Sequence, residues 1–198
     1  MIEIIEKKLG SPTGKQQNKK QIVLTHTSRD VEEYLTSLKY RFNSKHQKIP
    51  NYIITKTGKV IQILSDVQYS KYFSQLDYNR NSITISFENL GWLERVQLKD
   101  YHINWIGNIY SGVPYERKWR DYFLWDPYTD IQLKTAAELC INLTKKHKIE
   151  VKCIGHNTKV DRPNKFGGII TRANFDSKYT DVSPAFNFQT FTKYLKDE

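Results

Sequence analysis

Apolar positions along this chain follow two rhythms, one of period two or unbroken and one of helical spacing. Gln21-Ile22-Val23-Leu24-Thr25 is a short apolar run that stops at His26, the pattern of a strand covered on both faces. Val31, Tyr34, Leu35, Leu38 and Phe42 then keep one face of a helix, and Asp30 with Glu33 forms a capping-box signature at its start. Asn51 to Thr55 predicts a strand, Lys56-Thr57-Gly58-Lys59 a hairpin-type turn, and Val60 to Leu64 the returning strand. Asn81 to Phe87 alternates and is rich in β-branched residues, which predicts a third strand region. A second helix starts at Thr129 or Asp130 and buries Leu133, Ala136, Ala137, Cys140, Leu143 and Thr144. Val151 to Gly155 reads as a further strand ending at His156, and a short helix runs from about Asn187 to Leu195.

Three stretches lack such a period. Gly10 to Lys20 is polar and turn-rich, an exposed loop. Residues 157–179 read as a long loop. An insertion at about 92–128 holds all four tryptophans, Trp92, Trp105, Trp119 and Trp125, together with Tyr101, Tyr110, Tyr115 and Tyr122. Strands alternating with helices predict an α/β fold, a central mixed β-sheet flanked by helices, as a single domain over residues 1–198.

Composition narrows the classes. The chain is 38% hydrophobic and 26% charged, as in a globular domain, and no apolar run approaches the ~20 residues of a membrane span. Acids inside the first apolar stretch, Glu3 and Glu6, argue against a secretory signal and predict a chain made in the cytoplasm. Cys140 and Cys153 are too few for a disulfide framework and read as buried free thiols. The net charge of +10 fits either a solvated basic surface or attraction to a polyanion: nucleic acid, membrane or anionic cell wall. The basic residues are dispersed, without an aromatic RNA-binding signature or zinc-finger spacing, so no stable nucleic-acid partner is expected.

The candidate chemistry lies where strands end. His26 and His156 each follow an apolar run directly, and Asp181 lies 25 residues beyond His156 in Thr180-Asp181-Val182-Ser183-Pro184. Two histidines and a carboxylate make a catalytic zinc set with one open position, in which bound water has a pKa near ~7. His46, His102 and His147 sit without ligand-like partners in sequence.

Four segments give this constellation a context. Ile22-Val23-Leu24-Thr25-His26-Thr27-Ser28, Tyr52 to Gln62, Asn81 to Asn89, and Gly155-His156-Asn157 with Thr180 to Phe186 occur in the order of the amidase type 2 family. The chain resembles that family, which includes phage lysozyme-amidases and peptidoglycan-recognition proteins. The resemblance implies His26, His156 and Asp181 as Zn2+ ligands. It also implies hydrolysis of the amide between N-acetylmuramic acid and L-alanine in peptidoglycan or muropeptides.

The chain also departs from the family pattern. The usual catalytic glutamate falls on Ser86, and Glu88 lies two residues on, facing the same side of a strand. Glu88 is then either the general base or a solvent-facing residue at the strand end. A catalytic tyrosine of some members falls near Pro50, with Tyr52 two residues on. Tyr179 stands where many members place an oxyanion-stabilising lysine, and either donates that hydrogen bond or packs. The leading expectation is a monomeric phage-type endolysin that reaches the cell wall from the host cytoplasm. The alternatives are a non-catalytic peptidoglycan-binding module and a cytosolic muropeptide-recycling amidase. The Trp-rich segment is either a packed subdomain or a substrate wall.

Overall fold

The computed structural model describes residues 3–7, 14–41 and 47–197. In chain order its elements are β1 (Ile4–Glu6), β2 (Gly14–Lys15), β3 (Gln21–His26), α1 (Val31–Arg41), β4 (Tyr52–Ile54), β5 (Val60–Gln62), β6 (Gln68–Tyr69), α2 (Leu76–Asn81) and β7 (Ser82–Phe87). There follow β8 (Trp92–Arg95), β9 (His102–Asn104), β10 (Ile109–Tyr110), β11 (Tyr115–Trp119), β12 (Tyr122–Trp125), α3 (Asp130–His147), β13 (Gly168–Thr171) and α4 (Phe188–Lys196). Phe42 and the Gly10–Thr13 part of the expected loop lie outside the described residues.

The main sheet has six strands in the order β1-β5-β4-β7-β3-β13. β3 and β7 pair in parallel over their full length, from Gln21 opposite Ser82 to His26 opposite Phe87. Every residue of both strands is buried, as expected of central strands covered on two faces. β4 and β5 form the predicted antiparallel hairpin, so the sheet is mixed. Gly58 takes φ 80° in its turn, and a Cβ there would lie 2.6 Å from Ile131. Glycine meets both demands.

Alternation along the strands divides the core. Ile22, Leu24, Ile83, Ile85 and Phe87 face α3 and α4. Ile53 and Ile61 face the other way, onto Tyr34 and Leu38 of α1. Val23 and Ile170 pack on that second side against Tyr72, Phe73 and Phe175. The Thr129 hydroxyl accepts from Gln132 N–H, and the Gln132 side chain accepts from Thr129 N–H, closing a capping box at the start of α3. Asp30 likewise accepts from Glu33 N–H ahead of α1. Cys140 is buried and Cys153 half-buried, both as free thiols. Among the described residues no helix is long and apolar enough to cross a membrane.

Three stretches differ from expectation. In the described part of the expected exposed loop, Gly14–Lys15 pairs with Gln68–Tyr69 and Lys19 is buried, its Nζ donating to the Arg80 and Ser82 carbonyls. Val151–Gly155 is not a strand: it contributes one bridge, from Cys153 to Ile169, and Val151 is exposed. The strand comes later, inside the stretch read as a loop. β13 pairs in parallel with β3, Gly168 opposite Gln21 through Thr171 opposite Leu24. Gly168 lets it pass the neighbouring segment, since a Cβ there would lie 2.5 Å from the Lys152 carbonyl oxygen. The Trp-rich insertion forms its own five-stranded antiparallel sheet, ordered β10-β9-β8-β12-β11.

Candidate functional site

Parallel register places the carboxyl ends of β3, β7 and β13 along one edge of the sheet, where ligand sites of open α/β sheets form. His26 ends β3, Glu88 follows β7 and Arg172 follows β13. His26 is buried, and its Nδ1 lies 3.1 Å from the Tyr128 hydroxyl, which accepts from Ser183 N–H at 3.3 Å. Gly91, at φ 81°, leaves room for the imidazole: a Cβ there would lie 3.0 Å from His26 Nε2. Asp181 is also buried. Its Oδ2 accepts from the Thr25 hydroxyl, and from Arg172 Nη1 at 3.4 Å. Arg172 lies over the Tyr179 ring at 3.9 Å and the Tyr72 ring at 5.2 Å.

Burial lowers the His26 pKa to about 4; Asp181 opposes this, while Arg172 and Lys56 add to it. The ring is therefore neutral at neutral pH. Burial disfavours the Asp181 carboxylate, but Arg172, His26 and the Thr25 hydroxyl outweigh it and hold the carboxyl below its ordinary value. Burial likewise opposes charge on Arg172, and Asp181 with Tyr72 and Tyr179 more than offsets it.

A cleft of about 300 Å³ opens beside this group. His26, Arg29, Arg41, Lys48, Tyr72, Trp105 and Arg172 are among its lining residues, and among the described residues no acid is. Arg29 is paired with Glu33 at 2.8 Å, and Arg41 donates to the Lys48 carbonyl at 3.0 Å. Burial, followed by the charge of Arg172, depresses the Lys48 pKa.

The residues expected from sequence separate into two groups. His26 and Asp181 come together through Thr25 and Arg172. His156 is exposed and outside the cleft lining; its Nδ1 accepts from Thr158 N–H at 3.2 Å. Zinc needs three protein ligands that converge. Among the described residues no three His, Cys, Asp or Glu side chains do so. The Asp181 carboxylate already has a cationic partner in Arg172, at 3.4 Å. Among the described residues the donor set as arranged therefore does not supply the three ligands zinc needs.

The other candidates have packing and capping contacts. Glu88 accepts from Val31 N–H at 3.0 Å and from Lys56 N–H at 2.7 Å, so its two oxygens tie α1 and the hairpin turn to the end of β7. Glu88→Gln replaces one acceptor with a donor and is expected to cost about 1–3 kcal/mol. Urea denaturation checks this; unchanged stability would free Glu88 from the structural role. Tyr179 stacks on Arg172. Tyr52 is buried with its hydroxyl on Asp66, within the core rather than the cleft. His147 also meets Asp66, His102 lies near the Tyr110 ring, and His46 is outside the described residues.

Sequence reasoning missed Arg172, Tyr128 and the basic lining of the cleft. Arg172 had a signal: Gly168-Ile169-Ile170-Thr171 is a β-branched run that predicts a strand end just before it.

A central mixed sheet flanked by helices, with a cleft at its carboxyl edge, defines the class, and comparison names the family. The N-acetylmuramoyl-L-alanine amidase family model, Amidase_2, matches residues 15–165. The chain belongs to that family. The matched segment stops before β13, Arg172 and Asp181. Among solved structures, the chain is similar to the N-acetylmuramoyl-L-alanine amidase LysC from Clostridium intestinale URNW, with TM-score 0.60, 13% identity and 99% of each chain covered. The amidase AmiD from E. coli, in complex with a muramoyl-peptide substrate, gives TM-score 0.56 at 13% identity, covering 94% of this chain and 60% of that one. The Drosophila peptidoglycan recognition protein SA gives 0.54 at 12% identity, covering 96% and 90%. No curated protein sequence matches the chain.

Proposed function

We propose that this chain recognises bacterial peptidoglycan, holding a muramoyl-peptide in the cleft beside His26 without cutting it through zinc. The observation that carries this reading is the donor set. Among the described residues only His26 and Asp181 of the expected ligands come together at the sheet edge, and Arg172 pairs with Asp181 there. Cations and aromatic rings line the cleft, and both suit an anionic glycopeptide. The names of the structural relatives support peptidoglycan as the ligand class.

One observation favours a second reading. His26 and Asp181 stand together where a hydrolytic site of this family is expected, which suits a zinc-dependent amidase cutting muramoyl–L-alanine. Under it the chain is a monomeric phage-type lysin acting on the wall from the host cytoplasm, or a muropeptide-recycling enzyme.

Purified protein incubated with muropeptides, with and without a chelator, separates the two. The first reading expects binding that the chelator does not change, no product mass, and far less than one zinc per chain. Release of the stem peptide, abolished by the chelator, would overturn it and establish the second.

A further inference from the structure

We propose that the amino edge of the main sheet, opposite the cleft, is a docking face for a linear phosphodiester polymer of the bacterial wall. The identity of the polymer rests on the peptidoglycan reading; the charged edge itself does not.

Parallel pairing sets Gln21, Ser82 and Gly168 in one row where β3, β7 and β13 begin. Lysines gather along that row. Lys20 precedes β3, and its backbone joins the neighbours, donating to the Asn81 carbonyl and accepting from Gly168 N–H. Lys165 stands just ahead of β13. Lys15 arrives on β2, which Lys19 ties to this edge: its Nζ donates to the Gln68, Arg80 and Ser82 carbonyls. α3 starts at the carboxyl edge, where Gln132 donates to the Glu88 carbonyl, and runs back across the sheet, so Lys145 and Lys148 come to its far end. Lys7 follows β1, with its N–H on the Gln62 carbonyl.

Most of the acids that these contacts place here face other cations. Asp66 meets Lys146 at 2.6 Å, Glu150 pairs with Lys152, and Asp77 lies near Arg80; Glu6 is the fourth. Lys7, Lys15, Lys20, Lys145, Lys148 and Lys165 are all exposed, and none has a carboxylate partner among the described residues. The positive surplus of the chain is therefore concentrated on this edge, away from the cleft.

The arrangement selects an extended ligand. Six strands, ~4.8 Å apart, spread the row over about 24 Å. That exceeds the screening length of ~8–10 Å at moderate salt, so a small anion meets one or two lysines and only a long polyanion meets them all. Ammonium groups are point charges that suit phosphates without reading bases. The rings at this edge, Tyr69 and Phe166, are half-buried under Lys19 and Lys152, at 5.7 and 5.2 Å, which leaves no open face for base stacking. Because the cleft lies at the other end of the strands, polymer and muropeptide are held together, and each raises the local concentration of the other.

The test titrates the full chain with poly(glycerol phosphate), monomeric glycerol phosphate, single-stranded DNA and vesicles containing anionic phospholipid, each at several salt concentrations. The edge variant combines Lys20→Gln, Lys145→Gln and Lys165→Gln. The control variant removes the same charge from exposed positions elsewhere, Lys134→Gln, Lys193→Gln and Lys196→Gln on α3 and α4. Muropeptide binding is measured for every protein as the readout of an intact fold and cleft.

The polymer is expected to bind far more tightly than the monomer, with a log–log salt slope of roughly −4 for six contacts. The edge variant is expected to lose at least about tenfold in polymer affinity and to flatten that slope by about 2, with muropeptide affinity unchanged. The control variant is expected to stay within about twofold of the wild type, as its charges lie beyond the screening length. Equal losses in the two variants, or none in the edge variant, overturn the docking face. Displacement of muropeptide by the polymer places it in the cleft and does the same. DNA or vesicles binding as tightly as the polymer at matched salt overturn the wall polymer as the ligand. Polymer binding that depends on the edge, in a chain that binds no muropeptide, keeps the face and overturns the peptidoglycan reading.

Discussion

Trp125→Ala is expected to cost about 3–5 kcal/mol of stability, whereas Trp105→Ala leaves melting almost unchanged and weakens muropeptide binding. Trp125 is fully buried, and its Nε1 donates to the Arg117 carbonyl at 2.8 Å. The Trp119 ring lies 5.4 Å from it and the Tyr122 ring 5.8 Å, so alanine would open a cavity at the heart of the second sheet. In a chain of this size that loss corresponds to a fall in Tm of roughly 10 °C. Trp105 has no such surroundings: it is 57% exposed at the cleft. Trp92 stacks on Tyr122 at 4.4 Å and belongs with Trp125 rather than with Trp105. Thermal melting and muropeptide titration of the two single variants check the division. An early-melting Trp105→Ala with intact affinity when folded would remove Trp105 from the ligand wall.

The same contrast explains which parts of the fold can be read from the sequence. β3, β7 and the β4–β5 hairpin are central and buried, so apolar runs and a glycine turn announce them. α3 is long, amphipathic and capped by a recognisable Thr129. The second sheet gives no such signal. Its strands are two to five residues long, β11 has no buried residue, and a bulge between Glu116 and Trp119 breaks the period. β13 is four residues inside a polar stretch, and its identity depends on pairing with a strand some 145 positions earlier in the chain.

The place of β13 also decides the site. A strand over Val151–Gly155 would put His156 at the sheet edge. The structure gives that edge to β13, and hence to Arg172. His26 and Asp181 were legible because each lies in a recognisable local context. Arg172 was legible only as the residue after a β-branched run, and its meaning comes from Asp181, Tyr72 and Tyr179 around it.

Acidification tests the electrostatics of this site without a ligand. The folded His26 pKa is about 4, against 6.5 for an unperturbed histidine, with burial the leading cause. Between these values the unfolded chain binds a proton at this position and the folded chain does not, so stability falls as pH drops. His26 contributes its full stabilisation above pH 6.5 and loses it progressively down to about pH 4. The span amounts to roughly 3 kcal/mol at 1.36 kcal/mol per pH unit. Asp181 acts in a separate window. Its folded pKa lies below the ordinary 3.8, so its contribution is present above that value and disappears at still lower pH. Urea denaturation of the wild type and of His26→Gln at pH 7, 5.5 and 4.5 isolates the histidine term. The wild type is expected to lose stability more steeply across this range, and addition of a chelator is expected to leave both curves in place. Parallel curves for the two proteins would show that His26 is as free to protonate in the folded chain as in the unfolded one. A curve that moves with chelator would show instead that a bound metal, not burial, keeps the imidazole unprotonated, and would return the site to the zinc-dependent reading.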